Sequence, residues 1–339
     1  MFGKRYAADV ITRSAENPAD RRRFLRSAGL TGLGVVGASA VNGGGALADQ
    51  ANDDASRIGD ASVLNFALNL EYLEAQFYLH AVTGHGLPDK LTSGKGDRGH
   101  VRGGRKVHFE SKLIREYAHE IAHDELAHVK FLRTALGSGA VAQPQINLKR
   151  SFSLAAQAAG LVKPGQPFDA FANEANFLLA AFLFEDVGVT AYKGAAPLIS
   201  NKTYLEAAAG ILAAEAYHAA NIRTSMFHCE SSLVDIDIDL GGIEIPIEID
   251  LPGGGQDLVK AARKLSKARD SLDGKKDLDQ GIVKGGNANI VPTDKFGVTY
   301  SRSAAQVLNV VYLTPEKAKR GGFFPKGVNG TINTSAGTA

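Results

Sequence analysis

Four stretches of the chain carry apolar residues at steps of three and four, the spacing that lines one face of an α-helix. Over residues 62–82 the stripe is Leu64, Leu68, Glu71, Ala75, Tyr78 and Val82, and over 170–192 it is Leu178, Phe182, Glu185, Val189 and Tyr192. Over 110–135 it is Ile114, Ala118, Ile121, Glu125, His128 and Leu132, and over 204–227 it is Tyr204, Ala208, Ile211, Glu215, His218 and Ile222. The first stripe matches the third and the second matches the fourth, position by position. The sequence therefore predicts two copies of one helical hairpin, each with polar groups set into an apolar seam.

The connections predict how the helices are arranged. About thirty residues, 137–168, separate the second helix from the third, enough to run back along a helix of roughly 30 Å and start again in parallel. A short turn around Pro197 joins the third and fourth as antiparallel neighbours. The expected fold is mainly α, a four-helix bundle over residues 58–229 with a long crossover between helices 2 and 3.

The same stripes sort the candidate polar residues. Glu120-x-x-His123 repeats the spacing of Glu125-x-x-His128, but its own face runs Glu116, Glu120, His123, Ala127 and Lys130, a solvated one. His85, His100 and His108 lie in a linker rich in Gly, Lys and Arg and are expected in solvent. Glu74 shares a face with Leu70 and Phe77 on a helix apolar nearly all round, so only the repeat with Glu185 prefers Glu71.

Residues 230–339 form a C-terminal extension. Strict alternation on either side of Gly241-Gly242 predicts a β-hairpin over 234–251, with Pro246 suited to an edge strand. Its acidic face is expected to guard that edge against pairing; a cation-binding or partner surface is the other reading. Helices are expected on the stripe Leu258, Ala262, Leu265, Ala268 and Leu272, and from a Ser303 cap through Leu313.

With 339 residues, 44% hydrophobic and 22% charged, the chain is ample for one bundle core plus additions. Residues 1–48 carry Arg21-Arg22-Arg23-Phe24-Leu25-Arg26, a weakly hydrophobic run and then Ala46-Leu47-Ala48, the order of an export signal. Paired arginines before Phe-Leu resemble a twin-arginine (Tat) signal, which implies the Tat machinery as partner and a periplasmic or extracellular destination. These residues hold seven of the 38 Lys/Arg and three of the 36 Asp/Glu, so 31 basic and 33 acidic residues remain after it. Nothing in that balance points to nucleic acid. Cys229 is the single cysteine and excludes an internal disulfide.

A Glu and a His three apart on a helix lie one turn along and on one side, so both reach one ion. Four carboxylates on facing seams would each cost several kcal/mol without a partner, and a pair of divalent cations about 3.5–4 Å apart supplies one. One Glu-x-x-His passes for ordinary helix residues. Two of them, with two Glu-x6-Tyr motifs and matched flanks, point to metal. Carboxylate and imidazole donors suit iron and manganese, with zinc and cobalt as imitators; iron is expected first and manganese next.

On these six residues the segment resembles a ferritin-like di-metal carboxylate domain. The resemblance implies Glu71 and Glu185 as terminal ligands, Glu125 and Glu215 as bridges, and His128 and His218 on one ion each. It implies Tyr78 and Tyr192 as hydrogen-bond donors to the opposite helix pair and as candidate catalytic, electron-supplying groups. A narrower likeness rests on Leu64 to Ala75, Asp124-Glu125-Leu126-Ala127-His128, Glu215-Ala216-Tyr217-His218 and Asn289-Ile290-Val291-Pro292-Thr293-Asp294. These resemble exported bacterial ferritin-like proteins related to plant desiccation-related proteins. The implied function is redox chemistry with dioxygen or peroxide in stress protection; the alternative is a non-catalytic protein whose metal only stabilises the bundle. A homo-oligomer stays open, although the 110 residues after Cys229 stand against a storage shell.

Overall fold

The computed structural model describes residues 59–231, 235–239, 244–248 and 257–338. The expected signal segment lies outside the described residues. Helices α1 (Asp60–Thr83) and α2 (Lys112–Leu136) pack as one antiparallel pair, and α4 (Glu174–Ala195) and α5 (Lys202–Ser231) as the other. Each begins or ends within a few residues of its apolar stripe. Ser111 caps α2 by accepting from Ile114 N (3.3 Å), and Asn173 caps α4 by accepting from Asn176 N (2.9 Å). Helix α1 ends on Gly84, whose φ of 83° closes the last turn through its N–H on His80 O.

Between the pairs, the crossover is more structured than its composition predicts. It holds helix α3 (Arg150–Ala158) and strand β2 (Ile146–Asn147), which pairs in parallel with β1 (Val101–Arg102) of the α1–α2 linker. Phe152 of α3 packs on Phe77 and Phe184, tying the crossover to α1 and α4. These rings are buried where the seams meet, which is why α1 and α4 are apolar nearly all round. In α4 every residue from 176 to 192 is buried.

The expected hairpin is present: β3 (Asp235–Asp239) and β4 (Glu244–Glu248) are antiparallel, with Pro246 opposite Asp237. After it, α6 (Leu258–Asp273) packs on α4 and α5, β5 (Val283–Lys284) and β6 (Asn287–Ala288) form a small ladder, and α7 (Ala304–Tyr312) opens on a Ser303/Gln306 capping box.

Buried charge locks this extension to the bundle. Asp186 Oδ2 on α4 accepts from Arg223 Nη1 (2.8 Å) and Arg269 Nη2 (2.7 Å), and Arg302 Nη1 donates to Thr190 Oγ1 (2.8 Å). Asp279 joins Arg269 to Arg302, whose Nε also reaches Asp273 (2.6 Å). At Gly194 a side chain has no room, because a Cβ there would stand 1.8 Å from Arg302 O. The last residues complete the core: Phe323 and Phe324 are buried, and the Asn69 side-chain amide pairs with both N and O of Asn329 (3.0 and 2.8 Å).

Candidate metal centre

All six residues on the seams turn into the middle of the bundle, one Glu from each of α1 and α4 and one Glu-x-x-His pair from each of α2 and α5. The four glutamates are at most 1% exposed and the histidines at most 9%. Their ligand atoms form two groups. Glu71, Glu125, His128 and Glu215 make one, with His128 Nδ1 at 3.2 Å from Glu71 Oε2, 3.6 Å from Glu125 Oε2 and 3.7 Å from Glu215 Oε1. Glu125, Glu185 and His218 make the other, with His218 Nδ1 at 3.2 Å from Glu125 Oε1 and 3.5 Å from Glu185 Oε2. Glu125 belongs to both, one oxygen facing each side.

The resemblance implies Glu125 and Glu215 as bridging carboxylates, and the structure places the two differently. Glu215 stands in the first group only. Its second oxygen turns toward Gly188 of α4, where a Cβ would lie 2.2 Å from Oε2. A side chain at 188 would have to displace that carboxylate, so glycine is what lets Glu215 adopt this pose.

The donor set is unsatisfied where an ion would need it. Glu71 Oε2, both oxygens of Glu125 and Glu215, Glu185 Oε2, His128 Nδ1 and His218 Nδ1 are buried and have no hydrogen-bond partner. Native interiors leave few such atoms, and these six carboxylate oxygens and two imidazole nitrogens need cations or protons. The remaining oxygens of the outer glutamates are occupied: Tyr78 on α1 donates to Glu185 Oε1 on α4, and Tyr192 on α4 donates to Glu71 Oε1 on α1. Each tyrosine thus crosses between helix pairs and leaves its carboxylate one free oxygen, directed at the centre. The residues fit metal ions with oxygen-rich coordination.

Charge at the centre is shared unevenly. Burial raises Glu71 to about 7, and burial with the neighbouring Glu125 and Glu74 charges pushes Glu215 well above its ordinary value. Burial alone would lower His128, but Glu71 and Glu125 outweigh it and raise it to about 11. Glu125 goes the other way: burial would raise it, and the two histidines hold it below the usual carboxylate range. Tyr78 and Tyr192 are pushed well above 10, by burial first and then by Glu185 and Glu71, so their hydroxyls stay protonated donors.

Three neighbours of the centre escape the seam pattern. Asp124 Oδ2 lies 3.2 Å from His218 Nε2; accepting that proton leaves Nδ1 as the free donor atom facing Glu125 and Glu185. Ala214 holds the matching place before Glu215, and among the described residues no carboxylate pairs with His128 Nε2, so the two halves are unequal. Glu74 is buried one turn from Glu71, close to Gly188 and outside both groups. Gly188 is the third. The Asp before Glu in Asp124-Glu125 was the only local signal for any of them, since the other two depend on what faces them. Glu120 and His123 are exposed, as are His85, His100 and His108.

No solved structure matches the chain. The desiccation-related protein PCC13-62 of Craterostigma plantagineum is 28% identical over 282 residues, covering 80% of this chain and 83% of its own length. The ferritin-like catalase Nec2 of Nesocodon mauritianus is 24% identical over 286 residues, covering 80% of this chain and 84% of its own. The model of the ferritin-like domain matches residues 59–228, the span from the start of α1 almost to the end of α5. The chain belongs to the ferritin-like domain family.

Proposed function

We propose that the protein holds two divalent ions, iron first and manganese next, and uses them for redox chemistry with peroxide or dioxygen in stress or desiccation protection. The observation that carries this reading is the pair of buried ligand groups sharing Glu125, with their facing atoms unpartnered. The two relatives' names, one a ferritin-like catalase and one desiccation-related, point the same way. Bound there, the ions would supply the redox couple for that chemistry. The chain's own part is to position and to exclude water. Tyr78 and Tyr192 fix Glu185 and Glu71, Asp124 orients His218, and the tyrosines are redox-capable groups bonded directly to ligand carboxylates.

The test loads the purified full chain with Fe(II) or Mn(II), counts bound metal, and follows dioxygen release from hydrogen peroxide and Fe(II) oxidation. Two ions per chain with turnover of either substrate is the expected result. Two ions with no turnover would leave a metal that only stabilises the bundle. A folded chain that binds none would sink both readings.

Residues 1–48 are read as the Tat signal that delivers the folded, metal-loaded protein to the periplasm or outside the cell. A reporter carrying them is expected to stay in the cytoplasm once Arg21 and Arg22 are both changed to Lys. Export undiminished by that change would remove the reading.

A further inference from the structure

Beside the bundle's crossover lies a cleft of about 460 Å³, lined by Asp97, Arg98, His100, Gln145, Lys326 and Asn329. Three distant segments meet there. Backbone bonds join the first to the second, Ile146 N to His100 O (3.2 Å) and Leu148 N to Arg102 O (2.8 Å), and Asn147 N to Phe323 O (3.0 Å) joins the second to the third. Asn329 closes the ring with its amide on Asp97 O (2.9 Å).

The meeting concentrates positive charge. The first segment brings Arg98 and Arg102 with His100, the second Lys149 and Arg150, and the third Lys319, Arg320 and Lys326; all are exposed. Lys326 stands beside Lys319 and Arg320, because the turn at Gly327 folds against Lys319 O and the Arg320 Cβ. Of these, Arg98, His100 and Lys326 line the cleft with Asp97, and the other five Lys and Arg are carried on the segments that bound it; Arg98 pairs with Asp89. Beyond residue 48 the chain as a whole carries slightly more acid than base, so this face is a local excess rather than a reflection of composition.

What surrounds the charge narrows the ligand. Of the exposed large apolar side chains of the described residues, Leu113, Leu154, Tyr217, Val291, Phe296 and Val298, only Leu154, one turn after Arg150 on α3, adjoins these segments along the chain. The segments therefore bring no exposed ring to stack on a base, and a single leucine is a small wedge for a bilayer. It offers instead Arg98, His100 and Lys326 in the cleft, further cations on the segments that bound it, and amide groups such as Gln145, chemistry that suits carboxylates or sulfates interleaved with hydroxyls. We propose that this cleft binds an acidic polysaccharide, which would hold the protein in a polyanionic matrix independently of its metal chemistry.

Retention of the full chain on immobilised polygalacturonate and on dextran sulfate, with neutral dextran as blank, tests this. Binding at low salt that weakens as salt rises is expected. The triple variant R102E/K149E/K326E should bind at least about tenfold more weakly, whereas K112E/K130E/K202E, which makes the same charge change elsewhere, should bind as the parent does. Circular dichroism and metal content of both variants check that the bundle is intact; if the cleft triple fails to fold, the corresponding single variants, each expected to weaken binding, replace it. No retention of the parent, or equal loss in both triples, would overturn the proposal. So would stronger binding to phosphatidylglycerol vesicles or to duplex DNA that the cleft triple abolishes, since the partner would then be of another class.

Discussion

On the proposed two-ion reading, the Glu125→Gln variant is expected to lose both ions, whereas Glu185→Gln should lose one. Glu125 places one oxygen beside His128 and the other beside His218, and both groups of ligand atoms include it. Glu185 belongs only to the second group, where its free oxygen faces His218. Metal analysis of the purified full-length variants gives the answer directly, and an unchanged metal content in Glu125→Gln would refute the shared role. In the same experiment Asp124→Asn should weaken one ion by about 10- to 100-fold, the usual cost of removing a group that orients a ligand histidine. The other ion, beside His128, should be held as before, since of the two candidate ligand histidines Asp124 pairs with His218 and not with His128.

Uptake should also depend on pH with a definite sign. Glu71, raised by burial to about 7, carries a proton below that pH, and His128, raised to about 11, carries one through the neutral range. An ion entering the centre has to displace these protons. Affinity is therefore expected to rise with pH across the neutral region, read by metal titration at fixed ionic strength; affinity falling with pH would contradict the protonation pattern.

Arg302→Met is expected to be the most destabilising single change in the extension, costing about 3–5 kcal/mol, as breaking a buried ion pair usually does. Arg302 is fully buried, and its guanidinium satisfies Asp273, Asp279 and Thr190 at once. Removing it leaves two carboxylates enclosed with less compensation, and it releases the residues that precede α7 from α4. Denaturant unfolding of the intact chain would register the loss as a lower midpoint. A change of less than about 1 kcal/mol, the value of an exposed pair, would mean that the network is open to water.

Much of the bundle was legible because helical periodicity is a local property. A stripe such as Ile114, Ala118, Ile121, Glu125, His128 and Leu132 states which face is buried without reference to any other element. The same stripe placed Glu120 and His123 outside, where they are. Helix α3 was not legible, since Arg150–Ala158 spans little more than two turns and its buried face is completed by Phe77, Phe171 and Phe323 from elsewhere. Nor was the tail. Its Gly, Asn, Thr and Ser fit either packing over the bundle or staying loose, and the structure packs it: Asn329 pairs with the Asn69 amide on α1, 260 residues away.

By itself, then, the sequence determined the four seams, the doubled Glu-x-x-His and Glu-x6-Tyr spacing, and the set of six inward-facing donors. Those follow from 3.6 residues per turn, which fixes direction once a helix forms. Only the tertiary structure decided that Glu125 lies in both groups, that Gly188 makes room for Glu215, and that Asp186 and three buried arginines bind the extension to the bundle. Each of these is a distance between groups on different elements, set by how helices dock and by which charges must find partners once water is excluded.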